Sequence, residues 1–117
     1  MPHLVLEFTA SVEEQLNIHG LFEDLHQDLL DCGLFEQDDV KSKAVRCNEW
    51  RIGHHEQSQD FIHISVALLE GRSAEQKEAL SQILLETLTS QAKSVFSLSV
   101  EIREMERSSY KKWFNRN

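Results

Sequence analysis

Pro2 is the only proline in a chain of 117 residues, and it stands directly behind the first methionine in MPHLVLEF. Methionine is readily trimmed when a small residue such as proline follows it, and Pro2 would then present a free secondary amine. An ordinary α-amino group titrates at about 7.7–8.0. Burial in an apolar pocket with cations nearby penalises the ammonium form and lowers that value, leaving a neutral base able to work near neutral pH. The pyrrolidine ring also fixes the direction of the lone pair, so little entropy is lost in aiming it. The competing reading is structural: proline is tolerated at the start of an edge strand, where no backbone donor is needed.

Other residue types narrow the chemistry. The six histidines do not have metal-ligand spacing. His54 and His55 are adjacent and would point opposite ways on a strand, with no HxH or HxxxH beside them, so no metal centre is expected. His3 and His63 read as strand residues near the amine end, where they would shape the pocket. Trp50 and Phe61 are candidates for the apolar wall that desolvates the amine, with core or interface packing as the alternative. Cys32 and Cys47 lie too far apart for a CxxC site and are expected to be free, mostly buried thiols. No GxSxG, P-loop or GxGxxG pattern occurs. The formal net charge of −8 repels a phosphate backbone and argues against nucleic acid. It still permits a small anionic ligand, because a few local cations override a distant, screened surface charge.

The elements that must position these residues follow from periodicity. His3 to Phe8 alternates, with Leu4, Leu6 and Phe8 on one side, as a half-buried strand does. SVEEQLNIHGLFEDLHQDLLDCG carries Ile18, Leu21, Phe22, Leu25, Leu29 and Cys32 at helical spacing, with Ser11 and Glu14 at capping-box distance and Gly33 as the stop. A second extended segment runs from about Val40 to Ile52, and Gly53-His54-His55 reads as a loop. DFIHISVALLEG is the most apolar strand and is expected at the centre. Ser73 and Gln76 cap a second helix whose stripe is Leu80, Ile83, Leu84, Leu88, Ala92 and Val95. SLSVEIREME closes the series, with Leu98, Val100 and Ile102 facing one way.

The order is strand, helix, strand, strand, helix, strand. It predicts an α+β fold, a two-layer sandwich of tandem β-α-β units in which two helices cover one face of a four-stranded sheet. Residues 1–117 are read as one domain. No segment is long and apolar enough to span a bilayer, and no export signal opens the chain, so a cytoplasmic protein without membrane association is expected. The sheet face without helices carries Val5 and Ala67 and predicts oligomerisation. The basic, aromatic tail SSYKKWFNRN is expected to pack against a neighbouring subunit.

MPHLVLE, the GLF of the first helix, VKSK, FIH and EGRS occur together and in this order. That series resembles the 5-carboxymethyl-2-hydroxymuconate isomerase family of the tautomerase superfamily, from Met1 to about Glu106. The resemblance implies a homotrimer, sites near subunit boundaries, no metal, no organic cofactor, and an N-terminal proline that moves a proton from the 2-hydroxyl of a dienol to a distant carbon. Pro2 takes that role. Arg72 in EGRS matches a family arginine and would clamp a substrate carboxylate through two donors. Lys41 and Lys43 in VKSK stand where the family has an RSR-like stretch. Lysine keeps the charge and loses the planar fork, which predicts looser orientation of the substrate. The two lysines share a face, so both point into a site or both into water. They also motivate a second reading, a trimer of the same fold that binds a partner and has lost or altered its chemistry.

Overall fold

The alternation after Pro2 is realised as strand β1 (His3–Thr9), in which Leu4, Leu6 and Phe8 are buried while His3, Val5 and Glu7 on the opposite face are half-buried. A computed structural model describes residues 1–55 and 57–116. After β1 come a 3-10 turn at Ala10–Glu14, helix α1 (Ile18–Asp31) and strand β2 (Lys41–Cys47). Strand β3 (Phe61–Leu69), helix α2 (Ala74–Gln91) and strand β4 (Ser97–Met105) complete the series.

The sheet order is β2-β1-β3-β4. β1 and β2 are parallel, β3 and β4 are parallel, and the two pairs meet through the antiparallel β1–β3 ladder. The expected tandem β-α-β arrangement is therefore present, with the apolar β3 inside the sheet. Parallel neighbours require a crossover, and each helix supplies one.

One core joins the layers. Leu4, Leu6, Ile62, Ile64, Val66 and Leu68 from the sheet pack against Leu21, Leu25, Leu29, Leu80, Leu84 and Leu88 from the helices. Each such side chain contributes about 1.5–3 kcal/mol by leaving water. The helices cover a single face, and Val5 and Ala67 on the other remain half-buried.

Several local expectations are corrected. The cap of helix α1 lies six residues beyond Ser11, at Asn17, whose side chain accepts the Gly20 N–H at 3.1 Å. Gly20 leaves room for that cap: a Cβ there would come within 2.9 Å of the Asn17 amide nitrogen. The Ser11 hydroxyl is occupied elsewhere, donating to Asp60. Ser73 and Gln76 do form the capping box of α2. Ile83 is 38% exposed, off the buried stripe, and Ala92 and Val95 are buried just beyond the helix. β2 ends at Cys47, well short of Ile52. Cys32 and Cys47 are free as expected but only half-buried. The loop expected at Gly53-His54-His55 is present as a turn, in which the two imidazoles stack with ring centroids 4.6 Å apart.

Candidate active site

Strand directions gather scattered residues at one end of the sheet. β1 and β2 begin there, and β3 and β4, antiparallel to β1, finish there. The segment after α1, the link from β3 into α2, and the chain beyond β4 all arrive at the same place. The result is a cleft of about 440 Å³ bordered by Met1, Phe35, Asp39, Arg72, Arg107, Tyr110 and Lys112, among others.

The EGRS stretch is the hinge of this construction. Gly71 adopts φ +121°, a conformation that side-chain-bearing residues rarely take, and so turns the chain sharply after β3. Arg72 follows and reaches back into the cleft. Its guanidinium donates to the carbonyls of Leu34 at 2.9 Å and Leu69 at 3.3 Å, and its centre lies 5.1 Å from the Phe35 ring. Ser73 then caps α2. Held by carbonyls and an aromatic face, Arg72 keeps its charge without a carboxylate partner among the described residues.

Pro2 is buried between Met1, which lines this cleft, and His3, which borders a cavity of about 260 Å³ on the open sheet face. The Pro2 carbonyl accepts the Lys41 N–H at 3.1 Å, fixing the start of β1 beside the start of β2. Met1 is itself buried, and its sulfur accepts the Leu69 N–H. Its amine sits 3.8 Å from the Asp39 carboxylate and donates to the Asp39 carbonyl. Burial, opposed by Asp39 but assisted by Lys41 and Lys112, lowers that amine from 8.0 to about 6. Burial and the same neighbouring cations, with Lys43, also pull His3 below its ordinary value. The Lys112 ammonium, bonded to Asp39, holds that carboxyl below its usual range.

The residues singled out in the sequence divide accordingly. Pro2, Arg72 and Lys41 are brought to one end. Lys41 and Lys43 share the helix-free face as the period of two requires, and both border the smaller cavity with His3. Lys41 also lies near the chain start, donating to the Asp39 carbonyl at 3.3 Å. His63 stays away: it pairs with Glu7 in the register, bonds Ser99 at 2.6 Å, and faces Glu101 at 3.5 Å. Four residues separate it from Ala67, roughly 13 Å along the strand. Trp50 and Phe61 lie at the opposite end of the sheet. The Trp50 indole N–H donates to the Gln59 carbonyl at 2.7 Å and braces the β2–β3 connection. Within the chain neither aromatic forms the wall of the amine cleft. Phe35 and Tyr110 do.

A family model for 5-carboxymethyl-2-hydroxymuconate isomerase matches residues 2–115. The chain belongs to that family. An Escherichia coli 5-carboxymethyl-2-hydroxymuconate Delta-isomerase is 23% identical over 110 residues, covering 90% of this chain and 87% of its own. The crystal structure of a 5-carboxymethyl-2-hydroxymuconate isomerase from Deinococcus radiodurans R1 superposes with a TM-score of 0.88 at 29% identity, over 97% of this chain and 90% of the other. A fused 4-OT, solved as a symmetric trimer, shares the fold at 12% identity with a TM-score of 0.72, over 95% and 93% of the two chains. The protein is thus an isomerase with the tautomerase fold.

For this isomerase the residues that sequence reasoning missed are Asp39, Arg107, Tyr110 and Lys112. The tail folds back onto its own chain: Tyr110 Oη and His3 Nε2 are 3.0 Å apart, Lys112 meets Asp39, and Arg116 lies 3.6 Å from Asp38. Trp113 alone among the tail aromatics is largely exposed, at 82%. The only signal available was the tail's basic and aromatic composition, which says nothing of where the tail docks.

Proposed function

We propose that this isomerase converts the enol of a carboxylated 2-hydroxydienoate, such as 5-carboxymethyl-2-hydroxymuconate, into the conjugated ketone, with Pro2 as the general base once Met1 is removed. The observation that carries the reading is the position of the chain start: a buried strand end opening on a cleft with Arg72, Arg107 and Lys112 around it and Lys41 alongside. While Met1 is attached, the Pro2 nitrogen is an amide and has no basicity. Removing Met1 unmasks the amine, vacates the volume that the methionine fills, and frees the Leu69 N–H that its sulfur had engaged.

The proton moves in one circuit. The neutral Pro2 amine takes the proton of the 2-hydroxyl, and the oxygen electrons re-form the carbonyl. The double bonds shift along the chain, and the distant carbon receives a proton from the ammonium, which returns the base to its neutral form. No redox change occurs and no cofactor is required by the balance. Arg72 binds a carboxylate through its planar fork, and Lys41 supplies positive charge beside the amine. Lys43, one step further along the open face, is a weaker contributor.

The whole chain acts as one catalytic domain in this reading, and three copies assemble through the helix-free sheet face. The half-buried Val5 and Ala67 support that assembly, as does the trimeric state of a neighbour in fold.

The test is turnover of purified, methionine-processed protein. Pro2→Ala, and a form that retains an N-terminal extension, should lose about 10²–10⁴-fold in the rate of ketonisation. Intact mass should show Met1 absent from the active form. Undiminished ketonisation by either altered protein would refute the assignment of Pro2.

A further inference from the structure

The segment beyond β4 forms part of the cleft wall and carries charge to it. Arg107 anchors its start: its N–H donates to the Glu70 carboxylate at 3.2 Å and its guanidinium to the Glu70 carbonyl at 3.1 Å, against the Gly71 turn. Tyr110 then bonds His3, and Lys112 follows into the cleft. Phe114 closes the arrangement. Its ring has the ammonium of Lys41 at 4.8 Å, that of Lys112 at 4.7 Å and the guanidinium of Arg116 at 4.6 Å from its centroid.

Three like charges around one ring repel one another, and the ring's negative faces offset only part of that. Asp39 is the carboxylate that Lys112 engages, and the same carboxylate also lies by the Met1 amine. Arg116 reaches Asp38. Lys41 donates to the Asp39 carbonyl and has no ion-pair partner among the described residues. Three cations thus crowd Phe114 against the two carboxylates Asp38 and Asp39, and the cleft beside it is lined by Arg72, Arg107 and Lys112 against Glu36 and Asp39, so positive charge is in excess. Asp39 stands where a bound carboxylate would gain most, bridging the amine and Lys112. Arg72 borders the same cleft, held by the Leu34 and Leu69 carbonyls.

We propose that Lys112 is a specificity-determining residue that receives a second carboxylate of the substrate, in addition to the one held by Arg72, with Phe114 as its positioning platform and Asp39 as the counter-ion that it exchanges for the ligand. This deepens the reading given above and rests on it for the identity of the substrate. A doubly carboxylated dienoate would be held at both ends, whereas a monocarboxylated one would engage Arg72 alone. The absence of a planar fork at Lys41 makes such a second anchor more valuable, since lysine at that position orients a carboxylate poorly.

The experiment separates binding from turnover. Affinities of the methionine-processed protein for hexanedioate and hexanoate, saturated acids that cannot react, are measured by calorimetry beside the kinetics of a dicarboxylated and a monocarboxylated 2-hydroxydienoate. Lys112→Met should weaken hexanedioate about 10- to 100-fold, the range for losing a charged hydrogen bond, and shift hexanoate by less than about 2-fold. The KM for the dicarboxylated substrate should rise while kcat stays near its original value. Lys112→Arg should restore most of the preference, and Phe114→Leu should lose part of it with the charge intact. Unchanged hexanedioate affinity in Lys112→Met, or an equal loss for both acids, would overturn the proposal. Pro2→Ala should keep the diacid preference while losing turnover. A wild-type protein that shows the preference but ketonises neither substrate would sink the catalytic reading and leave this one standing.

Discussion

The two ends of the sheet handle buried polar groups in opposite ways. At the end where β1 finishes and β3 starts, the carboxylate of Asp60, only 9% exposed, accepts from the hydroxyls of Thr9 and Ser11 and the amide of Gln15. Thr9 Oγ1 in turn accepts the Phe61 N–H. Neutral donors saturate the anion, and the cluster ties the 3-10 turn to β3 without any cation. At the other end Arg72 leans on carbonyls, Lys41 and Lys112 crowd an aromatic ring, and one aspartate faces both an amine and a lysine. The first arrangement leaves nothing for a ligand to satisfy. The second has positive charge in reserve. A satisfied buried network rigidifies a fold, and a cation-rich cleft is costly unless an anion fills it. A satisfied polar network holds the first end, and the unmatched positive charge gathers at the other.

Three further tests bear on this contrast, beginning with the greatest change. Arg72→Met should lower kcat/KM for a carboxylated hydroxydienoate by about 10²-fold, as expected for a bidentate charged contact. Arg72→Lys should recover only a part, because the ammonium cannot span the two carbonyls and a substrate at once. Steady-state kinetics decide it, and full activity of Arg72→Met would erase the functional half of the contrast.

Asp60→Ala is the counterpart at the quiet end. It strands two hydroxyls and an amide away from their acceptor, and should cost about 2–4 kcal/mol of stability. Urea titration measures this. The kinetics of the surviving folded protein should be unaltered, and a catalytic defect without destabilisation would invert the assignment of roles.

The smallest effect concerns pH. The Met1 amine is pulled downward by burial, against the attraction of Asp39 and with the help of Lys41 and Lys112. On the Pro2 proposal the free base is the active form, and burial with cations nearby predicts that kcat/KM rises with pH through an apparent pKa below the ordinary α-amino range and then levels. Asp39→Asn removes the influence that raises the value and should move this limb to lower pH. Asp60→Asn should leave it in place. In protein that retains Met1 the folded amine titrates at about 6 and the unfolded one at 8.0, so the folded state binds fewer protons between them and stability should increase as pH rises through that window. A pH–rate profile and denaturant melts across the same range provide the check.

Much of the fold was legible. Alternation in β1 and β3 and the leucine stripes of α1 and α2 are local patterns that burial imposes on the sequence itself, and the Ser73–Gln76 box closes over three residues. The Ser11–Glu14 box failed for a reason that no local pattern carries. Ser11 found a stronger acceptor in Asp60, far along the chain, and Asn17 took over the cap. Pro2 and Arg72 stood out as candidates because their motifs are short and chemically unusual, and the fold brings both to one end of the sheet. Within the chain Trp50 and His63 lie away from the cleft, Trp50 in the β2–β3 connection and His63 inside β3, because residue type and spacing do not say at which end of the sheet a side chain sits. Lys112 and Tyr110 had no motif at all.

By itself the sequence determined the period of each element, hence which side chains face inward, because alternation and helical spacing are properties of neighbouring residues. It also placed a proline directly behind the first methionine, at the head of β1. Only the tertiary structure decided which cations stand around the chain start. Antiparallel pairing of the two halves brings the ends of β3 and β4 to the start of β1, and the tail folds back across it. Charge acts through space over a few ångströms, and that proximity exists only after the strands have paired.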